Sequence, residues 1–239
     1  LFLRQLRTHG VRDIVGVNNT GLAFNSVVAV ELNDGHPMNP MVNAGAIATC
    51  SRLPGTGLAD RWAHLLAGLS AFAGRELAVD TALYESVSAT NFRNREIAAT
   101  LARQGALVTT AADALELYTR QSSLLVTAHD LAVMGATLAD GGMNPVTREQ
   151  VVAQELVRPV LAVMATAGMY ERSGDWLYDV GLPGKSGIGG GVVTVSPGKC
   201  GLGGFSPPLD EAGNSVRGVR AAAQLAAELG LGLFASRPV

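Results

Sequence analysis

The stretch "GKSGIGGG", residues 184–191, places a lysine and a serine hydroxyl in a glycine-rich segment. Such a segment could cradle phosphate, as a Walker-type loop does through its backbone N–H groups. A Walker loop needs a glycine five residues before the one that precedes its lysine, and Asp179 stands there. The glycines also lead into a β-branched run, 192–195, which is typical of a strand, whereas a phosphate loop leads into a helix. A nucleotide site is therefore disfavoured, and a strand opened by Lys185 and Ser186 needs another explanation.

Asparagine and tyrosine side chains form a second candidate group. Asn39 and Asn43 flank a predicted helix start in "HPMNPMVNAGAI", and Asn94 stands at another in "NFRNREIA". A helix cap or an Asx-turn would explain each asparagine alone, and a core ring with one satisfied hydroxyl would explain Tyr118 or Tyr170. Asn43 is harder to explain in that way, because the Ala-Gly-Ala-Ile after it indicates close backbone approach. Since an amide both donates and accepts, these side chains together could hold an α-amino and an α-carboxylate group.

Other chemistries have little support in the composition. The four histidines stand alone, and the two cysteines show neither metal spacing nor a disulfide framework. Zinc chemistry is therefore unsupported, no cofactor is expected, and a reducing, cytoplasmic location is favoured. With 18 basic and 20 acidic residues the net charge is −2, which gives no electrostatic case for nucleic acid or an anionic membrane. No apolar run approaches the length of a membrane span.

The elements that must position these residues are mostly helices. The clearest predicted helix is capped by Thr127 and ends at the glycine pair 141–142, and Pro159 should bend or split a long one over 147–167. β-Branched runs predict a hairpin of two strands, and Asn214 should cap a last helix that ends at about residue 229. The strands are 187–196 and 199–205, and the other helices are 1–9, 43–53, 58–72, 95–103 and 111–118. This order indicates an α+β fold with the sheet on one side.

Five blocks of the chain carry a resemblance to a known family. They are "GLAFNS", "HPMNPMVNAGAIA", "NFRNREIA", "GMYERSGDWLYDVGLPGKSGIGGG" and "FSPPLDEAGNSVRG". In this order they resemble the serine-dependent glutaminase family, whose fold is that of the serine β-lactamases and penicillin-binding proteins. The resemblance implies one glutaminase domain over 1–239, mostly helical with an antiparallel sheet. Lys185-Ser186-Gly187 then resembles the Lys-Ser/Thr-Gly strand that borders the active site in this superfamily.

The resemblance also implies an activity and roles for single residues. A member hydrolyses L-glutamine to L-glutamate and ammonia through an acyl-enzyme on a serine. Asn43 and Asn94 should bind the amino-acid end of glutamine, and Tyr118 and Tyr170 should line the same site, with Tyr170 able to relay a proton. The backbone N–H of Ile188 should form part of the oxyanion hole or hold substrate. All five residues should converge on one cleft, in a protein that assembles as a homo-oligomer, a dimer or a tetramer.

Two departures from the family pattern bear on activity. The family's nucleophile is a serine in an early Ser-x-x-Lys stretch, in which the lysine acts as base. That stretch and the N-terminal strands should lie before Leu1, and no Ser-x-x-Lys is expected within the 239 residues, so the chain as given is expected to lack its nucleophile and to be inactive. Ser186 is a poor substitute, because neighbours on a strand point to opposite faces. The family also has Ser-Glu seven residues ahead of the second site asparagine, where this chain has Ser86-Val87, so valine replaces an acidic substrate ligand.

Three hypotheses follow. The first is an N-terminally truncated glutaminase. The second is another acyl-transfer enzyme of the same fold, such as an esterase or a relative of D-amino-acid peptidases, which the dense match around "NPMVNAGAI" disfavours. The third is a catalytically impaired pseudoenzyme or binding protein on the glutaminase fold, which Val87 and the expected loss of the nucleophile favour.

Overall fold

The computed structural model describes residues 11–19 and 21–235, so the helix predicted over 1–9 lies outside the described residues. The described residues fall into two units. The first unit runs to residue 71 and continues over 75–125, and the second unit consists of 72–74 and the residues from 126 onward. The first unit has a main buried apolar cluster, which contains Ile47, and a smaller one around Cys50, and the second unit has its own cluster. Within the described ranges, no helix is long and apolar enough to cross a membrane.

The first unit is built from helices. Residues 11–15 are helical. The helices that follow are α1 (Val27–Glu31), α2 (Asn43–Ser51), α3 (Leu58–Ala73), α4 (Thr81–Thr90), α5 (Phe92–Arg103) and α6 (Ala111–Ser122). The last two residues of α3 belong to the second unit. Ile47 of α2 and Ile97 and Leu101 of α5 are fully buried in the main cluster, so these two helices share one core.

Side-chain caps fix where several helices begin. Asp80 accepts a hydrogen bond from the backbone N–H of Leu83 at 3.0 Å, and Thr110 accepts one from that of Asp113 at 3.0 Å. In the second unit Thr127 forms the predicted cap, since its hydroxyl oxygen accepts from the N–H of Asp130 at 3.2 Å. The Asp130 carboxylate in turn accepts from the Thr127 N–H at 2.7 Å, which completes a capping box.

The second unit combines helices with a small antiparallel sheet. Its helices are α7 (Ala128–Ala139), α8 (Gln154–Ala167), a 3₁₀ turn (Tyr170–Arg172), α9 (Ser173–Asp179) and α10 (Val216–Glu228). Its strands are β1 (Gly184–Ser186), β2 (Gly191–Ser196) and β3 (Cys200–Phe205), in the order β1-β2-β3. Lys185 pairs with Val193, and Val193 pairs with Gly203. The predicted α+β fold and hairpin are therefore confirmed.

Glycines on β3 let α7 lie directly on the sheet. A Cβ at Gly201 would fall 2.1 Å from the backbone nitrogen of Ala136, and one at Gly203 would fall 2.2 Å from the carbonyl oxygen of Ala128. The alternate residue Leu202 points to the other face, where it packs against the cluster that contains Ala222 of α10. The sheet thus lies between α7 and α10.

Several predicted boundaries differ from the structure, most of them by a few residues. The helix over 147–167 starts only at Gln154, because Asn144 holds the preceding residues in an Asx-turn by accepting from the N–H of Val146 at 2.8 Å. Pro159 does not split α8, which is continuous. The cap of α10 is Ser215, not Asn214. Lys185 and Ser186 end the short strand β1 rather than opening the strand after the glycines.

Candidate active site

Asn43 and Asn94 meet within the first unit. Asn43 is the first residue of α2 and Asn94 the third of α5. The Nδ2 of Asn43 donates to the Oδ1 of Asn94 at 2.8 Å, although 51 residues separate them in the chain. Both side chains are half-buried, so the amide pair keeps contact with solvent. The structure therefore brings together the two asparagines that the sequence assigns to one site.

A close backbone approach places Asn43. A Cβ at Gly45 would lie 1.9 Å from the carbonyl oxygen of Asn39, so only glycine lets the first turn of α2 pack against this segment. Asn39 forms the predicted Asx-turn, since its Oδ1 accepts from the N–H of Met41 at 2.9 Å. Its Nδ2 also donates to the carbonyl of Asn18 at 2.7 Å. The interpretation of Asn39 as an Asx-turn residue is thus confirmed, and this turn supports the start of α2.

Asn91 and Thr119, which no sequence motif indicated, extend the amide pair. The Nδ2 of Asn94 donates to the Oδ1 of Asn91 at 2.6 Å, and the Nδ2 of Asn91 donates to the Oγ1 of Thr119 at 3.2 Å. The spacing of Asn91 and Asn94, three residues apart at a helix start, is a signal that could have revealed the first contact. Thr119 had no comparable signal, apart from its position beside Tyr118.

Tyr118 lies on α6 beside Thr119 and packs against both apolar clusters of the first unit. Burial raises the pKa of its hydroxyl to about 12, so this hydroxyl keeps its proton at neutral pH. Cys50, which is buried in the same surroundings, has a thiol whose pKa burial also raises to about 12. Tyr118 is therefore suited to donate a hydrogen bond rather than to act as a phenolate base.

Tyr170 is tied to the Lys-Ser-Gly stretch within the second unit. Its backbone has a φ of 57°, a left-handed conformation that is unfavourable for a tyrosine and that the surrounding contacts must hold. The side chain is 6% exposed, and its hydroxyl donates to the carbonyl oxygen of Ser186 at 2.9 Å. The Nζ of Lys185 lies 4.4 Å from the centroid of the Tyr170 ring and donates to the same carbonyl. One carbonyl thus joins both side chains.

Lys185 and Ser186 have properties expected of an enzymatic site. Burial lowers the pKa of Lys185 to about 8, and no carboxylate among the described residues contributes an opposing shift. The Ser186 Oγ is buried and forms no hydrogen bond with the described residues. Lys185 contacts the carbonyl of Ser186 and not its hydroxyl. The geometry therefore does not make Ser186 a nucleophile activated by its neighbour.

The backbone N–H of Ile188 is available to a ligand. It lies in the turn between β1 and β2, which is closed by the N–H of Gly187 donating to the carbonyl of Gly191 at 2.9 Å. The Ile188 side chain is 63% exposed, and its own N–H donates to no other residue in the described part of the chain. An N–H without a partner among the described residues, two positions after Ser186, is the kind of donor that can stabilise an oxyanion.

Val87 lies on α4, seven residues before Asn94. The nearby carboxylate of Glu85 cannot replace the acidic residue that the family resemblance predicts at position 87, because residues two positions apart on a helix point about 200° apart around its axis. Glu85 is exposed and Val87 is partly buried, in agreement with opposite orientations.

The expectation that this chain contains no Ser-x-x-Lys stretch needs a correction, because Ser196 and Lys199 have that spacing. They stand at the β2–β3 turn, where the Ser196 hydroxyl is buried and donates to the carbonyl of Leu231 at 2.8 Å. The Nζ of Lys199 donates to the carbonyl of Gly230 at 2.6 Å. Both groups bond to the segment after α10 and not to each other, so they form no nucleophile–base pair.

No group of three or more side chains able to hold a metal ion occurs in the described residues. The structure brings together Asn43 with Asn94, and it links Tyr170 to the strand that leads to Ile188. The convergence of these four residues and Tyr118 on one cleft stays a prediction.

Fold and site residues together define a class. The α+β fold and the Lys-Ser-Gly stretch on its antiparallel sheet agree with a β-lactamase-like fold, and the paired asparagines and the buried tyrosine are the residues that the family resemblance predicts. A sequence model of the glutaminase family matches residues 1–234. The chain belongs to the glutaminase family.

Individual relatives agree with this membership. The chain is 58% identical to Glutaminase 2 of Yersinia pestis over 95% of its own length and 67% of that protein. It is 51% identical to a glutaminase of Mycobacterium ulcerans over 98% of its length and 73% of that protein. Among solved structures, the probable glutaminase ybaS matches with a TM-score of 0.97 at 47% identity, over 99% of this chain and 76% of that one. A probable glutaminase of Bacillus subtilis matches with a TM-score of 0.93 at 33% identity, over 98% of this chain and 78% of that one.

Proposed function

We propose that the protein is a glutaminase that hydrolyses L-glutamine to L-glutamate and ammonia through an acyl-enzyme. The observation that carries the proposal is membership of the glutaminase family over nearly the whole chain. In this reaction a serine oxygen attacks the side-chain amide carbon of glutamine and loses its proton. The C–N bond breaks, and the leaving nitrogen takes up that proton and departs as ammonia. Water then attacks the ester, L-glutamate is released, and the serine regains its proton.

The second unit offers groups for the chemical step. The unpaired N–H of Ile188 would stabilise the negative charge that develops on the amide oxygen. Lys185, with a pKa lowered to about 8, would accept and return protons near neutral pH more readily than an ordinary lysine. The hydroxyl of Tyr170 lies on the same carbonyl as the Lys185 amine and would continue that proton path.

The first unit offers groups for the substrate's amino-acid end. Asn43 and Asn94 are neutral amides that both donate and accept, and Tyr118 keeps its hydroxyl proton. Together they would hold an α-ammonium and an α-carboxylate without burying a fixed charge. The proposed domain assignment, one glutaminase domain over 1–239, is supported by the match of the family model to residues 1–234.

The nucleophile is proposed to lie outside these 239 residues. The chain has two lysines, Lys185 and Lys199, and the serine hydroxyls near them are occupied or misdirected. Val87 favours a second candidate, a catalytically impaired protein on the glutaminase fold, because a missing carboxylate weakens the hold on the substrate ammonium. The two candidates predict different activities for the product of the complete reading frame.

Release of ammonia and L-glutamate from L-glutamine, measured with that complete product, tests the proposal. We expect turnover, its loss when the serine of an upstream Ser-x-x-Lys is replaced by alanine, and no loss from Ser196→Ala. The 239-residue chain alone should bind L-glutamate in a calorimeter without hydrolysing L-glutamine. A complete product that stays inactive, even with Val87→Glu, would overturn the enzyme and leave the binding protein.

We also propose a reducing, cytoplasmic location and a homo-oligomeric assembly, a dimer or a tetramer. The support for the location is that both cysteines are free and that Cys50 is buried. Light scattering after size exclusion gives the mass of the assembly, and a monomer at micromolar concentration would overturn the second statement.

A further inference from the structure

Thr119 sets a direction for the hydrogen bonds around it. This residue is buried on α6, and its hydroxyl donates its one proton to the carbonyl oxygen of Leu115 at 2.8 Å. Because a carbonyl can only accept, the proton is committed there, and the Thr119 Oγ1 is left as an acceptor. The neighbouring amide of Asn91, 3.2 Å away, must therefore point its Nδ2 at Thr119.

The same direction passes along three amides. With its Nδ2 on Thr119, Asn91 turns its Oδ1 toward Asn94, which donates through its own Nδ2 at 2.6 Å. Asn94 then turns its Oδ1 toward Asn43, which donates through Nδ2 at 2.8 Å. Reversing any one amide would bring two donors or two acceptors into contact. The orientation of Asn43 thus depends on a hydroxyl three links away.

The last group of this series is the Oδ1 of Asn43, which accepts no hydrogen bond from the described residues. We propose that Thr119 and Asn91 are positioning residues that hold Asn43 with its Oδ1 toward the substrate, where it accepts a hydrogen bond from the α-ammonium. The inference rests on the proposed function, since it names the part of an amino-acid substrate that Asn43 meets. It also gives the ammonium a neutral oxygen in a chain that has Val87 where the family has a carboxylate.

A matched pair of variants at Thr119 tests the positioning role. Thr119→Val keeps the shape and removes the hydroxyl, whereas Thr119→Ser keeps the hydroxyl. The dissociation constant of L-glutamate should rise about 10-fold in Thr119→Val and stay near the wild-type value in Thr119→Ser. Glutarate, which has the same two carboxylates and no ammonium, should bind equally to all three proteins. Equal losses for L-glutamate and glutarate, or no loss in Thr119→Val, would overturn the inference.

Substitutions at Asn91 give a second comparison. Asn91→Asp keeps an oxygen toward Asn94 and replaces the Nδ2 donor that faces Thr119 with a second acceptor, so the Thr119 hydroxyl must turn from the Leu115 carbonyl to donate to the carboxylate. The Asn94 and Asn43 amides should then retain their orientation, and L-glutamate should bind at least as tightly as in the wild type. Asn91→Leu removes both polar atoms, so it should weaken L-glutamate binding as Thr119→Val does. Equal binding by the Asp and Leu variants would contradict the series.

A measurement without ligand separates this inference from the proposed function. In ¹⁵N-correlated NMR spectra, Thr119→Val should shift the side-chain NH₂ signals of Asn91, Asn94 and Asn43, and Thr119→Ser should leave them near their wild-type positions. Unchanged signals of Asn43 and Asn94 in Thr119→Val would overturn the positioning role alone. A wild-type chain that binds no L-glutamate would overturn both the ammonium contact and the proposed substrate.

Discussion

The hydroxyl of Tyr170 and the carbonyl oxygen of Ser186 are 2.9 Å apart, and this hydrogen bond connects a left-handed residue to the strand that carries Lys185. The bond is buried, so water cannot replace it directly. It holds together the two halves of "GMYERSGDWLYDVGLPGKSGIGGG", the longest of the family blocks. The proposed proton path and the local stability of the second unit therefore both depend on this hydrogen bond.

Tyr170→Phe should lower the free energy of unfolding by about 1 kcal/mol, since it removes one buried hydrogen bond while keeping the ring. In the complete protein it should also lower kcat, because the proposed proton path is interrupted. Urea denaturation and steady-state kinetics measure the two effects. Tyr178→Phe is the matched control, because Tyr178 is 91% exposed and should change neither. Wild-type stability in Tyr170→Phe would contradict the first expectation.

Lys185 should make stability depend on pH in the alkaline range. Burial lowers its pKa from 10.5 in the unfolded chain to about 8 in the folded one, so between these values the unfolded chain binds more protons. Stability contributed by this group must then rise with pH over that window, and the full cost of burying the charge applies below it.

Lys185→Met isolates this effect, because methionine has similar length and no charge. The difference in melting temperature between Lys185→Met and the wild type should shrink as the pH rises from about 8 to 10.5. A constant difference across the window would show that Lys185 titrates normally.

Gly203 and Gly204 are neighbours on β3 with opposite surroundings. A Cβ at Gly203 would lie 2.2 Å from the carbonyl oxygen of Ala128, whereas one at Gly204 would meet nothing within 4 Å. Gly203→Ala should destabilise the protein by about 2 kcal/mol or more, because α7 must move away from the sheet. Gly204→Ala should be neutral within about 0.5 kcal/mol, as surface substitutions usually are. Chemical denaturation measures the free energy of unfolding of both variants. Equal values would mean that α7 is not held close to β3 at Gly203.

Val87→Glu should strengthen the binding of L-glutamate about 10-fold, the effect of restoring one charge-assisted contact to the ammonium. Val87→Gln has the same length without the charge and should gain much less. Titration calorimetry at two salt concentrations tests this, since the gain from a charge should fall with added salt. A gain of the same size in both variants would assign the effect to packing.

Local patterns predicted several elements correctly because their causes are local. The Thr127 cap bonds within its own first turn, and the β-branched run after the glycines forms β2. The Asx-turn at Asn39 likewise depends on a residue two positions away. The helix predicted over 147–167 was wrong at its start because the turn made by the Asn144 side chain overrides the helical propensity of the residues after it.

The candidate site could be predicted only in part. The family blocks identify Asn43 and Asn94, and the structure shows them in contact. The contact between Asn91 and Thr119 joins residues 28 positions apart, one between α4 and α5 and the other on α6, so no spacing rule predicts it. For Ser196 and Lys199 the spacing is misleading. It matches a catalytic motif, but the side chains of both residues donate hydrogen bonds to the segment after α10.

Cys50 offers a way to follow the opening of the first unit. Its thiol is buried in the apolar core of that unit, with a pKa raised to about 12, so neither a maleimide nor an oxidant reaches a thiolate there in the folded state. Cys200 is half-buried on β3, in the second unit. The rate at which a reagent modifies Cys50 should therefore equal the frequency of local unfolding multiplied by the chance of capture before reclosing. The modification rate of Cys50 thus reports how often the unit that holds the paired asparagines unfolds locally.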